Sequence, residues 1–103
     1  MKLSDMKSFD EVLSEQLEDP IFRQEWERTA VARAVALRVI TYRAEHGLSQ
    51  AGLARELGVS QPLVARLEAG EHEPTFATLS RLSRQLGLEF HIDITPTALE
   101  MTA

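Results

Sequence analysis

The spacing of apolar residues predicts helices along most of the chain. Ser8 followed three residues later by Glu11 is typical of a capping box, and a short apolar stripe accompanies it: Phe9, Val12, Leu13 and Leu17. Asp19 and Pro20 then indicate a second helix start, because Asp is a good N-cap and Pro is tolerated in the first turn. The helical pattern continues from Ile21 to about residue 46. The sequence therefore predicts a short helix followed by one long helix.

The centre of the long helix, residues 30–40, is apolar nearly all round. Such a helix is expected to bury more than one face. One face would serve the core of the helices that follow, through Leu37, Ile40 and Ala44. The other face needs a second contact. Either the first short helix folds back onto it, or a partner chain covers Phe22, Trp26 and Val31.

The stretch from Ser49 to Gly70 predicts two short helices joined by a tight turn. Ser49 is a suitable N-cap for a helix that ends at Gly58, and Ser60 caps a second helix with Pro62 in its first turn. The apolar positions of both helices fall where they can share a core: Leu53, Ala54, Leu57, Val59, Val64 and Leu67. This arrangement is typical of a helix-turn-helix unit.

A further helix is predicted from Pro74 and Thr75 to about Gln85, before Gly87. Its buried side would consist of Phe76, Leu79, Leu82 and Leu86, with Arg81 and Arg84 outward.

Residues 88–95 alternate between apolar and polar side chains and predict a β-strand. Leu88, Phe90, Ile92 and Ile94 would share one face. The sequence predicts no other strand, and an isolated strand leaves its backbone groups unpaired. Pairing with the same strand of a second copy is therefore expected, and addition to the sheet of another protein is the alternative. Residues 97–103 are expected to be frayed.

The central segment resembles a known family. The stretch GLSQAGLARELGVSQPLVARLEAGEHEPTFATLSRLSRQLG resembles the lambda-repressor-like, or Xre-type, helix-turn-helix domain, and the resemblance covers roughly residues 37–88. With the N-terminal helices and the strand, the whole chain is most similar to antitoxins of the HigA type. The resemblance implies an all-α, lambda-repressor-like bundle with an N-terminal helical extension and a C-terminal strand that pairs between subunits.

The resemblance also implies which residues contact DNA. It assigns Gln50 to a phosphate contact and Gln61 and Arg66 to base edges, which suits amide contact with adenine and guanidinium contact with guanine. Pro62 and Leu63 suit contact with thymine methyl groups. The expected contact set is Gln50, Ser60, Gln61, Pro62, Leu63, Ala65 and Arg66. Glu71, His72 and Glu73 stand where many relatives carry Lys or Arg, so fewer phosphate contacts are expected.

The charge distribution qualifies this expectation. The chain of 103 residues has a formal net charge of −5, which is unfavourable for phosphate binding. Residues 1–29 hold eight acidic and four basic side chains, so most of the excess lies there. The remainder is nearly neutral, which predicts weak non-specific DNA affinity and dependence on two copies of the domain.

Other chemistry is not indicated. The chain has no cysteine, no apolar run long enough to span a membrane and no signal-peptide core at its start, so a cytoplasmic protein is expected. His46, His72 and His91 lack ligand spacing, and no phosphate loop or Ser/His/Asp arrangement is present. The sequence predicts no enzyme, metal, cofactor or small-molecule substrate.

The resemblance implies the antitoxin of a type II toxin–antitoxin pair, which neutralises a RelE- or HigB-like ribonuclease and represses its own operon. We expect residues 1–29 to bind the toxin, 30–88 to bind operator DNA and 89–103 to form the homodimer. The toxin contacts would be Phe9, Leu13, Leu17, Phe22 and Trp26, on the acidic segment that suits a basic RNA-binding protein. The alternatives are a free-standing Xre-type repressor and a protein-interaction module without DNA binding.

Overall fold

The computed structural model describes residues 8–94, 96 and 99–102, the last four by their backbone alone. Six helices are followed by a β-hairpin in these residues. The elements are α1 (Phe9–Gln16), α2 (Pro20–Arg28), α3 (Ala30–Glu45), α4 (Gln50–Leu57), α5 (Gln61–Ala69), α6 (Phe76–Leu86), β1 (His91–Ile94) and β2 (Leu99–Thr102). This is the all-α, lambda-repressor-like architecture that the sequence predicts. None of the helices described is long and apolar enough to cross a membrane.

The core lies between α3, α4, α5 and α6. Val31, Val35 and Val39 recur at every fourth position of α3, so they line one side of the helix and are buried. They pack with apolar residues of the three other helices: Leu53, Ala54, Leu57, Val64, Leu67 and Leu82. This core fixes the two helices of the helix-turn-helix unit against α3.

The face of α3 that enters the core differs from the predicted one. Leu37, Ile40 and Ala44 lie outside the core, and Leu37 retains 65% of its accessible surface. The predicted partner contact at Val31 is also wrong, because Val31 lies in the core. A helix that is apolar all round gives no periodicity from which to choose the buried face. Packing against α4, α5 and α6 buries the face of α3 that carries Val31, Val35 and Val39.

The long helix predicted from residue 21 to 46 is interrupted at Thr29, which has a φ of −96° and a ψ of 11°. Thr29 Oγ1 donates to the carbonyl oxygens of Glu25 at 2.9 Å and Trp26 at 3.3 Å. Side-chain hydrogen bonds of this kind compete with regular helix geometry. Because the Thr29 amide donates to Glu25 O at 3.1 Å and the Arg33 amide donates to Thr29 O at 2.9 Å, backbone hydrogen bonds continue on both sides of the interruption.

The N-terminal helix α1 begins as predicted but is not part of the core. Ser8 Oγ accepts from the Glu11 amide at 3.2 Å, which confirms the N-cap. No residue of α1 is buried, and Phe9 is 74% exposed. The alternative in which α1 covers a face of the long helix is therefore not what the structure shows.

The C-terminal region corrects two further predictions. Phe76, expected on the buried side of α6, is 83% exposed, whereas Leu82 is buried. The strand is shorter than residues 88–95, and it has a partner in its own chain, because β1 pairs with β2 in antiparallel register, with His91 opposite Thr102 and Ile94 opposite Leu99. The expectation of a frayed tail is thus wrong for residues 99–102, while residues 95, 97, 98 and 103 lie outside the described part. The segment Leu99–Thr102 alternates between apolar and polar residues, but a run of four residues is too short to predict a strand.

Candidate nucleic-acid interface

The turn between α4 and α5 has the local structure that the sequence predicts. Ser49 Oγ accepts from the Gly52 amide at 3.0 Å, and Ser60 Oγ accepts from the Leu63 amide at 3.3 Å. Gly58 ends α4 with a φ of +71°, a conformation that side chains disfavour. Because each helix start and stop is set by a local residue, the angle between α4 and α5 is fixed over a three-residue connection.

The end of α5 lies close against α3. A Cβ atom on Gly70 would lie 3.4 Å from Ala36 Cβ and 3.6 Å from the Ala32 carbonyl oxygen. Gly70 also has a φ of +66°. A side chain at this position would therefore be strained by the backbone conformation, while its Cβ would meet α3 at ordinary van der Waals distance.

The first residues of α4 and α5 are joined by a side-chain hydrogen bond. Gln61 Nε2 donates to Gln50 Oε1 at 2.8 Å, and Gln61 is exposed. This contact uses one of the two amide hydrogens of Gln61 and leaves its Oε1 as an acceptor. The remaining donor and acceptor have the pattern that complements the major-groove edge of adenine.

The other predicted contact residues of α5 differ in exposure. Pro62 and Arg66 are exposed, as is Ser60 before the helix, while Leu63 and Ala65 are half-buried. Leu63 also lines a groove between α5 and α6. Of the expected contact residues on α5, Leu63 and Ala65 therefore present less surface to a DNA groove than Gln61, Pro62 and Arg66, and at Leu63 the cause is the nearby α6.

A bidentate ion pair anchors α5 to α3. Arg43 Nε and Nη2 each donate to a Glu68 carboxylate oxygen at 2.8 Å, and Arg43 Nη1 donates to Leu48 O at 3.1 Å. The Glu68 side chain is only 8% exposed. Its hydrogen bonds raise the pKa of Arg43 above the usual value. Glu68 is therefore a structural ion-pair partner of α3.

Glu56, the second acidic residue of the motif, accepts a hydrogen bond from Tyr42 Oη at 2.8 Å. This contact links α4 to α3. It raises the pKa of Tyr42 above its usual value of 10.0, because the neutral phenol is the donor. Neither carboxylate is arranged for acid–base chemistry, and the described residues contain no group of three or more acidic or histidine side chains that could hold a metal ion.

Arg81 has a role that no local sequence pattern reveals. The periodicity of α6 predicts that it faces outward, but its Nη1 donates to Leu57 O at 3.0 Å and Gly58 O at 3.4 Å. These carbonyl groups end α4 and have no partner further along that helix. Arg81 thereby attaches α6 to the turn. Arg43 escapes prediction for the same reason: its partner is 25 positions away, and no local pattern signals such a contact.

The charges beside α5 match the sequence expectation. Glu71, His72 and Glu73 are described in the turn after the helix, with Glu71 and His72 exposed, and Arg55 and Arg66 are exposed on α4 and α5. Few cations thus surround the candidate interface.

The predicted toxin and dimer contacts occupy other surfaces. Leu13, Leu17, Phe22 and Trp26 lie on the N-terminal segment, with the Phe22 and Trp26 rings stacked at 6.2 Å between centroids. Leu88 and Phe90 precede β1, and Ile92 and Ile94 lie on it. Phe90, Ile92 and Ile94 contribute to an open groove of about 480 Å³ with Pro74, Phe76 and Leu79 of the preceding segment.

Comparison with known proteins agrees with this geometry. Residues 39–92 match the family model HTH_3, Helix-turn-helix. The chain is 37% identical over 73 residues to an uncharacterized HTH-type transcriptional regulator of Haemophilus influenzae, covering 70% of this chain and 74% of that protein. It is 32% identical over 84 residues to Antitoxin HigA1 of Mycobacterium tuberculosis, covering 81% of this chain but only 56% of that protein.

The matched segment starts within α3 and ends within β1, so it contains both helices of the motif and the contacts that hold them. The prediction that the chain is not an enzyme is confirmed by this match, since proteins of this kind bind DNA and catalyse no reaction. On the fold, the motif and these similarities, the chain belongs to the helix-turn-helix family and is a DNA-binding transcriptional regulator.

Proposed function

We propose that the protein is the antitoxin of a type II toxin–antitoxin pair, which represses its own operon and neutralises a small ribonuclease of the RelE or HigB class. The observation that carries the proposal is the N-terminal extension, in which two well-capped helices bury no residue. Helices of this length are marginal in water without a packing partner. The similarity to Antitoxin HigA1 supports the same function.

In this proposal, α5 enters the major groove of operator DNA. Gln61 contacts adenine with its free donor and acceptor, and Gln50 holds it while contacting phosphate. Arg66 reads guanine from the same helix. The contact set is Gln50, Ser60, Gln61, Pro62, Leu63, Ala65 and Arg66, with Leu63 and Ala65 limited to van der Waals contact because they are half-buried.

The protein acts as a homodimer in this proposal. One edge of β1 is occupied by β2, so its other edge is available for the same strand of a second copy. The adjacent groove carries two exposed apolar residues, Phe76 and Ile94. Pairing there would form one four-stranded sheet and place two recognition helices in successive major grooves, about 34 Å apart. Ile94→Glu is expected to weaken self-association in sedimentation equilibrium.

The toxin binds the N-terminal extension in this proposal. Residues 8–29 carry seven acidic and two basic side chains, and a ribonuclease that binds RNA presents a basic surface. Phe9, Leu13, Leu17, Phe22 and Trp26 supply the apolar contacts. Electrostatic attraction speeds association and the apolar residues provide most of the affinity.

The test is a growth and binding experiment with the product of the neighbouring gene. Expression of that product alone should arrest growth, and co-expression of the full-length protein should restore it. The two purified proteins should form a stable complex that binds DNA from upstream of the operon. A neighbouring product that neither arrests growth nor binds would remove the antitoxin assignment.

A free-standing repressor is the second candidate. It is favoured by the similarity to the Haemophilus influenzae regulator, which extends over 74% of that protein. In that case operator binding would persist and no toxin would be found.

An interaction module without DNA binding is the third candidate, and the acidic turn Glu71–Glu73 favours it. Upstream DNA that fails to bind the purified dimer would select this candidate.

A further inference from the structure

Apolar side chains form a continuous stripe along the outer side of α2 and α3. We define the outer stripe as Phe22, Trp26, Leu37 and Ile40. The Phe22 and Trp26 rings stack on each other, and Trp26 lies against Arg33. Leu37 and Ile40 follow Arg33 by four and seven residues, on the same side of α3. None of them belongs to the core, which uses another face of α3.

Arg33 joins the two halves of the outer stripe. Its guanidinium carbon lies 3.4 Å from the centroid of the Trp26 ring. Its Nη1 also donates to Thr29 Oγ1, at the interruption between the helices. These contacts hold Trp26 against Arg33, one turn before Leu37 on α3, although α2 itself has no buried residue.

The exposure of the outer stripe is graded along its length. Phe22 and Trp26 are half-buried, whereas Leu37 and Ile40 are exposed. Exposed apolar residues that occur singly are common, but a run of them on one face is typical of an interface. Leu37 and Ile40 therefore extend the aromatic pair of α2 along α3.

Charge indicates the kind of partner. Among the described residues, Glu18 and Glu27 of the N-terminal segment take part in no ion pair, and Asp10 and Glu11 add to the negative charge of α1. Of the three arginines of α3, Arg43 is paired with Glu68, whereas Arg33 over Trp26 and Arg38 at Glu89 O keep their positive charge. The acidic excess lies in residues 8–29, which contain Phe22 and Trp26 and carry seven acidic and two basic side chains. This excess beside the apolar stripe complements a basic protein with an apolar ridge.

We propose that the outer stripe, including Leu37 and Ile40 of α3, is the docking surface for the basic toxin of the proposed pair. This inference rests on the proposed function and extends the toxin contact beyond residues 1–29. The DNA-reading helix packs on a different side of α3, where Gly70 lies against Ala36. The segment before β1 lies on a further side, where Arg38 donates to Glu89 O at 3.2 Å.

The experiment measures binding of the purified product of the neighbouring gene to three forms of the full chain by calorimetry. The forms are wild type, Leu37→Glu and the matched control Ala77→Glu, which places the same charge at an exposed apolar residue of α6 outside every proposed contact surface. Leu37→Glu should weaken binding by at least about tenfold, as expected for a residue at an interface centre. Ala77→Glu should change it by less than about threefold, since rim and remote positions contribute little.

Three results would overturn the inference or its premise in distinguishable ways. If wild type does not bind the neighbouring product, the proposed function fails. If wild type and Leu37→Glu bind equally, the antitoxin function stands and the outer stripe is not its surface. If Leu37→Glu instead abolishes self-association while Ala77→Glu does not, the stripe is covered by a second copy. Circular dichroism melting and operator binding of Leu37→Glu, both expected to match wild type, verify that the variant is folded.

Discussion

The helix-turn-helix unit and the N-terminal extension have equally regular helix caps but opposite burial. Ser49 and Ser60 cap α4 and α5, and Ser8 and Asp19 cap α1 and α2 with hydrogen bonds of similar length. Yet α4 and α5 each bury two or more apolar residues, and α1 and α2 bury none. Local signals thus determine where a helix starts, whereas packing determines whether the fold depends on it.

Because of this difference, a mutation in the helix-turn-helix unit should destabilise the protein more than one in the N-terminal extension. The largest loss in the free energy of unfolding is expected where a buried apolar side chain is removed. Leu53→Ala removes a fully buried side chain of α4 and is expected to lower the free energy of unfolding by about 3 kcal/mol. Phe9→Ala, in the exposed α1, should change it by less than about 0.5 kcal/mol. Urea denaturation followed by circular dichroism compares the two. A large loss for Phe9→Ala would show that α1 packs on the core in solution.

The second prediction concerns DNA binding by the same two regions. Arg66→Ala removes the proposed guanine contact and should weaken operator binding by about tenfold, within the range of about 1–3 kcal/mol for a bidentate base contact. Arg23→Ala is the matched control in α2 and should leave affinity nearly unchanged. Fluorescence anisotropy with DNA from upstream of the gene measures both. Equal affinities for wild type and Arg66→Ala would place the base-reading face elsewhere.

The helix-turn-helix unit is well predicted by the sequence because the residues that start and end its helices act locally. Ser49, Gly58, Ser60 and Gly70 each act through their own backbone or a residue three positions away. The ends of α4 and α5 therefore follow from the sequence alone. The residues that orient these helices could not be found in this way, since Arg43 and Arg81 contact groups more than 20 positions distant.

The failed predictions share a different cause. Leu37 and Val35 are both apolar residues of α3, and only the packing of the other helices decides which is buried. Phe76 fits the periodicity of α6 but lies at its first position, beyond the edge of the core. The strand β2 escapes prediction because four residues carry too little pattern. In each case the outcome depends on tertiary contacts.

A third prediction compares helix caps in the two regions. Ser49→Ala removes the cap of a helix that contributes to the core, so the free energy of unfolding should fall by about 1 kcal/mol. Asp19→Ala removes an equally good cap from α2, but global stability should hardly change because α2 buries no residue. Amide hydrogen exchange should instead show faster exchange confined to α2. If Asp19→Ala lowers the global stability as much as Ser49→Ala, the extension unfolds together with the core.

The smallest predicted effect concerns the pH dependence of two side-chain contacts. One contact, Tyr42 with Glu56, joins α3 to α4, and the other, Glu25 with Arg28, lies within α2. Tyr42 is the single tyrosine of the chain, so its ionisation can be followed by absorbance at alkaline pH. Its hydrogen bond to Glu56 raises the pKa of the phenol above 10.0. The stabilisation is therefore fully present below pH 10 and is lost as the pH rises through the raised pKa of the folded protein.

The matched variant is Glu56→Gln, which keeps an acceptor at that position but removes the charge. It should return the titration midpoint of Tyr42 towards that of a free phenol.

The pKa of Glu25 in α2 is shifted in the opposite direction, because the hydrogen bond and ion pair with Arg28 lower the pKa of its carboxyl group. The stabilisation that this ion pair gives is fully present above the ordinary carboxyl pKa, and it is lost as the pH falls through the lowered pKa of Glu25. Since both partners lie within three residues on an exposed helix, loss of this ion pair in acid should affect only the helicity of α2, whereas ionisation of Tyr42 weakens the contact between α3 and α4. A Tyr42 midpoint unaltered by Glu56→Gln would mean that this contact is not formed in solution.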